Sequence, residues 1–187
     1  MIFKNINLTY KKEVFKDFEI NIKENEINFI TGESGVGKTS LLNIIKNRLL
    51  ESNKKVSYVF QEDRLIPWIT VEKNLELILK DRKEIEKLLI EMNLKDVLEK
   101  YPYELSGGMK KRINIARAIL YDGDIFLMDE PFNGLDRDNK KNIIEIIKKK
   151  TKGKTCIIIT HNKEEIKEFN GVFIEFYGNP VKIKYNY

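Results

Sequence analysis

The stretch Gly32 to Ser40, GESGVGKTS, constrains this chain more than any other. It matches the phosphate-binding loop pattern G-x-x-x-x-G-K-[ST], with Gly32 and Gly37 as the fixed glycines and Lys38 and Thr39 closing it. The apolar run Glu26 to Thr31 precedes it and Leu41 to Ile45 follows, so the loop is predicted between a strand and a helix, the context the motif needs. Glycines let the backbone approach a polyphosphate closely, and the amides from Gly35 to Ser40 can point inward where helix dipoles favour negative charge. The loop residues Ser34, Gly35, Val36, Gly37 and Ser40 are therefore candidate binding positions along with Gly32. Lys38 would reach the β- and γ-phosphates, and the Thr39 hydroxyl would bind Mg²⁺. Taken alone, the pattern also fits an ordinary surface glycine loop.

A chain of 187 residues with 42% apolar composition can bury a sizeable core, and a single domain over 1–187 is expected. The net charge of +5 comes from 34 basic against 29 acidic residues, an excess too thinly spread to name a nucleic-acid partner. Lys110 to Arg112 and Lys148 to Lys150 fall on predicted helices, where a solvated face is the simpler explanation. The single cysteine, Cys156, lies in an apolar run and has no partner for an intrachain disulfide, which is compatible with a reducing compartment. No apolar stretch approaches the length of a membrane span and the N-terminus lacks a signal-peptide core, so a membrane role would require a separate subunit.

In chain order, Ile2 to Tyr10 and Phe18 to Ile22 are predicted strands joined by a charged turn from Lys11 to Asp17. Tyr10, and secondarily Phe15, can stack on a purine ring, although packing is the alternative for both. The helix after the phosphate loop is expected to end near Leu50, with a further strand over Lys55 to Phe60. Gln61 follows at that strand's end, where its amide can hold a metal and an attacking water; a solvent-facing loop glutamine is the plainer alternative. Val71 to Lys100 is helical in pattern, with two helices and a short third expected.

Ser106 is a good N-cap, and Gly107 and Gly108 leave the next helix start open to an anion, though LSGG also suits an ordinary capped turn. Asp124 to Met128 is a predicted buried strand delivering Asp129 and Glu130. Asp129 suits Mg²⁺, and Glu130 suits polarising a water for attack on a γ-phosphate. Asn133 to Asp136 should turn the chain and cap a helix over Arg137 to Lys150. The next strand, Thr155 to Thr160, ends in the only histidine, His161, which would share one sheet edge with Gln61 and Asp129. Two strands, Val172 to Tyr177 and Val181 to Tyr185, are expected to close the chain.

These motifs together resemble the nucleotide-binding domain of ATP-binding cassette (ABC) transporters. In order they are the phosphate loop at Gly32 to Thr39, the Q-loop at Gln61, the signature LSGGM at Leu105 to Met109, the Walker B strand at Ile125 to Glu130, the D-loop ending at Asp136 and the switch His161. The resemblance covers nearly the whole chain. It implies an α/β P-loop NTPase fold of the ABC ATPase type, with a mixed sheet core, an N-terminal antiparallel β region and a short α-helical insertion over about 71–121. It also implies ATP and Mg²⁺ as cofactors, with Thr39, Gln61 and Asp129 on the metal. Glu130 would be the catalytic carboxylate and His161 the γ-phosphate sensor, with Lys38 and Gln61 completing the catalytic set.

By the same resemblance, a second ABC ATPase subunit, expected to be another copy, packs head to tail. Ser106, Gly107 and Gly108 then face the partner's ATP, and Asp136 belongs to the dimer interface. A transmembrane permease would receive the work at the cytoplasmic face of the membrane, with Pro67 and Trp68 as apolar contacts and a solute-binding protein as a further partner. The run Gln61 to Asn74, Tyr101-Pro102 and LSGGM are similar to the ATPase subunits of nitrate, sulfonate and taurine importers. Met109 departs from the glutamine usual there and cannot make its hydrogen bonds. The competing expectation is a soluble, non-transport cassette acting on nucleic acid or ribosomes, although this chain has neither tandem cassettes nor a cysteine pair.

Overall fold

The computed structural model describes residues 1–169 and 172–186. A two-stranded antiparallel sheet, β1 (Ile2–Thr9) with β2 (Glu13–Asn21), precedes a six-stranded mixed sheet. That sheet contains β3 (Ile27–Gly32), β4 (Val56–Val59), β5 (Ile125–Asp129), β6 (Thr155–Ile159), β7 (Val172–Tyr177) and β8 (Lys182–Asn186), in the spatial order β4-β5-β6-β3-β7-β8. β4, β5, β6, β3 and β7 run parallel, and β8 returns antiparallel on β7. The helices are α1 (Lys38–Glu51), α2 (Val71–Glu76), α3 (Arg82–Glu91), α4 (Gly107–Tyr121), α5 (Arg137–Lys150) and α6 (Lys163–Phe169).

The central strands β5 and β6 are buried at every position because both of their faces are covered, and their residues are almost all apolar. Alternate residues go to opposite layers: Phe126, Met128, Cys156 and Ile158 pack with α3, α4 and α5, whereas Leu127, Ile157 and Ile159 pack with α1 and the β1–β2 sheet. Cys156 is thus a buried strand residue, as its surroundings in the sequence predict. The four buried isoleucines of α5, from Ile143 to Ile147, carry its apolar face into the first layer.

Several local expectations are corrected. The charged turn after β1 is shorter than predicted, since β2 begins at Glu13 and Tyr10 donates its backbone N–H to the Lys12 carbonyl at 3.1 Å. The β1–β2 register shifts repeatedly, with Asn5 and Asp17 in left-handed conformation, so Phe15 and Phe18 both point inward despite their odd spacing. The short third helix within 71–100 does not form. Asn93 and Asp96 adopt positive φ there, and the next helical piece is a single 3-10 turn over Pro102–Glu104. α6 is a short helix that the sequence patterns do not predict.

At the end of β3, Gly32 has φ of +143°, and a Cβ there would lie 2.5 Å from the Phe176 carbonyl oxygen on β7. Gly32→Ala is therefore expected to destabilise the protein by about 2 kcal/mol or more. Urea unfolding would register this as a lowered midpoint at unchanged slope, and an unshifted midpoint would contradict it.

Candidate functional site

The C-terminal ends of the parallel strands gather the predicted residues along one edge. β3 leads into the glycine loop, β4 into Gln61, β5 delivers Asp129 and Glu130, and β6 leads through Thr160 to His161. A cavity of about 200 Å³ is walled by loop residues including Lys38 and Thr39, with Gln61, Asp129 and Glu130 opposite. Ser34, Gly35, Gly37 and Ser40 also line it, whereas Gly32 and Val36 face the neighbouring depression beside Tyr177. The side chain of Val36 packs against the core.

α1 begins without a side-chain cap. Gly37, at φ 111°, is its N-cap, and the first helical bond is from the Leu41 N–H to the Gly37 carbonyl at 2.9 Å. The amides of Lys38, Thr39 and Ser40 precede that bond, so the positive end of the helix is open toward an anion. The Lys38 ammonium donates to the carbonyls of Gly32 and Glu33, each at 2.8 Å, and so spans the mouth of the loop. Burial lowers its pKa below the ordinary lysine value, opposed by the nearby carboxylates of Glu130 and Asp129.

Asp129 is buried at the end of β5 and accepts a 2.7 Å hydrogen bond from the Thr39 hydroxyl. Burial raises its pKa above the ordinary value, and the Glu130 charge adds to this, while the Thr39 bond and the Lys38 and Lys111 ammonium groups counter it. Glu130 sits at φ 47°, a strained position for a residue with a side chain. Its carboxylate is oriented from two sides: Asn133 donates to Oε2, and His161 Nδ1 lies 3.5 Å from Oε1. His161 itself remains exposed.

Tyr10 is exposed, with its hydroxyl 3.5 Å from the Ser40 hydroxyl, so its ring stands free beside the start of α1. Phe15 does not share that role. It is 1% exposed and packed against Phe18 and Phe176, and its ring is closed off from any ligand.

The signature residues stand at a separate helix start and do not line the cavity. Ser106 caps α4, accepting from the Met109 N–H at 3.3 Å. Gly107 is exposed and a Cβ added there would meet nothing within 4 Å, while Gly108 approaches the Gly134 carbonyl. Asp136 caps α5 and takes hydrogen bonds from the backbone and side chain of Asn139, which hold its carboxyl below the ordinary value.

Two supports of the site have no signal in the sequence patterns. The buried carboxylate of Glu165 accepts from the Thr160 hydroxyl at 2.6 Å and pairs with Lys140 at 2.7 Å, tying α5 and α6 to the residue before His161. On the other side, Lys111, Asn114 and Arg117 of α4 bond to the loop from Gln61 to Arg64. Both depend on partners far apart in the chain, which periodicity does not reveal.

The family model described as "ABC transporter" matches residues 15–133. The aliphatic sulfonates import ATP-binding protein SsuB of Bacillus subtilis (strain 168) is 37% identical over 179 residues, covering 83% of this chain and 69% of its own length. The thiamine import ATP-binding protein ThiQ of Haemophilus influenzae (strain 86-028NP) is 35% identical, covering 89% and 90%. Among solved structures, the dimeric ABC transporter cassette MJ0796 superposes with a TM-score of 0.81 at 30% identity over 94% of both chains, as does its post-hydrolysis dimer bound to ADP and Pi.

Proposed function

Because this chain belongs to the ABC transporter family, we propose that it is the ATP-hydrolysing subunit of an importer. It would work as a pair of copies at the cytoplasmic face of a membrane and drive a separate permease. The observation that carries this reading is the convergence of Lys38, Thr39, Gln61, Asp129, Glu130 and His161 on one sheet edge, with a second open helix start, at Ser106, outside the same cavity. One subunit supplies the phosphate loop, and the signature start of its partner covers the nucleotide. The chain is an α/β ABC ATPase cassette, and among its described residues no helix is long and apolar enough to cross a membrane.

The polyphosphate of ATP enters the amides at the start of α1, and the Lys38 ammonium transfers from loop carbonyls to phosphate oxygens. The base stacks on the free ring of Tyr10. Thr39, Asp129 and Gln61 offer the hard oxygen donors that suit Mg²⁺, and the 2.7 Å approach of Thr39 to Asp129 is the spacing of groups that can share one small site. Held there, Mg²⁺ would supply neutralisation of the phosphate charge. Glu130, steered by Asn133 and His161, accepts the proton of the attacking water.

Hydrolysis removes the γ-phosphate that both subunits grip, and with it the contact that favours the closed pair. That opening is transmitted to the permease. Trp68 is 76% exposed beside exposed Pro67, which supports a docking contact there. The solute is selected by other subunits, in keeping with the small-molecule import named for the relatives.

The test is to purify the Glu130→Gln protein with ATP and Mg²⁺ from gently solubilised membranes of its own cells and identify what accompanies it. A multi-spanning membrane protein is expected. Ribosomes, nucleic acid or soluble proteins alone would overturn the transport reading.

A further inference from the structure

Three side chains of α4, at intervals of three residues, hold the loop that follows β4. The Lys111 ammonium donates to the Gln61 carbonyl at 2.7 Å, the Asn114 amide donates to the Asp63 carboxylate at 3.1 Å, and the Arg117 guanidinium donates to the Arg64 carbonyl at 2.6 Å. Lys111 and Asn114 are only 6% and 4% exposed, so two of the donors are buried side chains that reach out to a loop lying at the surface. Burying an ammonium is unfavourable unless a specific interaction offsets it, and the Gln61 carbonyl is the acceptor found here. The Asn114 amide turns its nitrogen to Asp63 and to the Lys110 carbonyl, which leaves its own buried oxygen without a hydrogen-bond partner among the described residues. A buried orphan of this kind calls for a reason, and grip on the loop supplies one.

The same helix begins at Ser106, five residues before Lys111, or about 7.5 Å along the axis at the rise of an α-helix. α4 is therefore a short rigid rod, with its open start facing one nucleotide and its Lys111 tied to the residue that faces another. We propose that Lys111, with Asn114 behind it, is a positioning residue that sets Gln61 for hydrolysis and ties its placement to the seating of the α4 start on the partner's nucleotide. This rests on the ATPase reading above. Lys111 touches the backbone of Gln61 and acts through it. The Asn114 bond holds Asp63, two residues further along the same loop, and so limits how far the Gln61 carbonyl can move from the ammonium.

The test compares Lys111→Met, Lys111→Arg, Gln61→Ala and the double variant Lys111→Met/Gln61→Ala in the full chain, reading kcat and KM for ATP together with nucleotide dissociation constants. Lys111→Met is expected to lower kcat about tenfold, the scale of one lost charge-assisted hydrogen bond, with the ATP dissociation constant within about twofold of the parent. Lys111→Arg should recover most of the loss. Gln61→Ala should cost at least as much as Lys111→Met, and the double variant no more than Gln61→Ala, because both act through one group. Losses that multiply, an unchanged kcat in Lys111→Met, or an affinity loss matching the kcat loss would overturn the proposal. Should Lys111→Met fail to fold, Asn114→Leu is read in the same cycle with the same criteria. A parent protein that binds ATP but turns none over would instead overturn the functional reading itself.

Discussion

Glu130→Gln is expected to lower ATP turnover at least about 100-fold while leaving nucleotide affinity within about twofold, the range general-base catalysis commands. Gln keeps the shape and can still meet Asn133 and His161, but its amide cannot accept a proton from water. The strained φ of 47° and the two orienting side chains hold Glu130 in a defined position at the strand edge. Asp129 is not positioned to replace it, because that carboxylate is buried and engaged by the Thr39 hydroxyl. Phosphate release and nucleotide titration, measured on the same preparation, check both halves of this expectation. Turnover equal to that of the parent would remove Glu130 from the mechanism.

Lys38→Met should act on the other quantity, weakening ATP binding by about 10- to 100-fold, as expected for the loss of charge-assisted bonds to phosphate. The ammonium also ties the carbonyls of Gly32 and Glu33 together, so its removal loosens the loop that presents the amides. A pH signature accompanies it. Because burial lowers the Lys38 pKa, the parent's affinity should begin to fall on the alkaline side earlier than an exposed lysine would dictate, and the Lys38→Met protein should lack that limb. Calorimetric titration across pH measures both effects, and an unchanged dissociation constant would contradict them.

The parts of this protein that were legible in its sequence are those built from local rules. The glycine loop, the all-apolar strand ending in Asp129, the Asp136 cap and the isoleucine face of α5 each follow from spacing within a few residues, and α5 begins and ends where that spacing predicts. Placing Gln61, Asp129 and His161 on one edge required only that successive strands be parallel. Phe15, a secondary candidate for base stacking by its place in the sequence, turns to the inner face because the β1–β2 register shifts, which alternation alone does not foresee. The absent short third helix within 71–100 turns on two residues, Asn93 and Asp96, entering the left-handed region, where asparagine and aspartate are tolerated but not compelled to go. Glu165 and Lys111 were invisible for a different reason. Each looks like a charge on a solvated helix until the chain folds, buries it and gives it a partner 25 or 50 residues away.

The shared site is tested most directly by the mass of the Glu130→Gln protein in solution, measured by light scattering with and without ATP. The chain alone is 22.1 kDa, and ATP is expected to double the measured mass. Gly107→Glu in the same background should still bind ATP yet stay at the mass of one chain. The new side chain meets nothing of its own subunit within 4 Å at its Cβ and puts a carboxylate where the partner's phosphates belong. A protein that saturates with ATP and keeps the mass of one chain, or a pair that forms equally well without nucleotide or with Gly107→Glu, would contradict a site completed by the signature helix of a second copy.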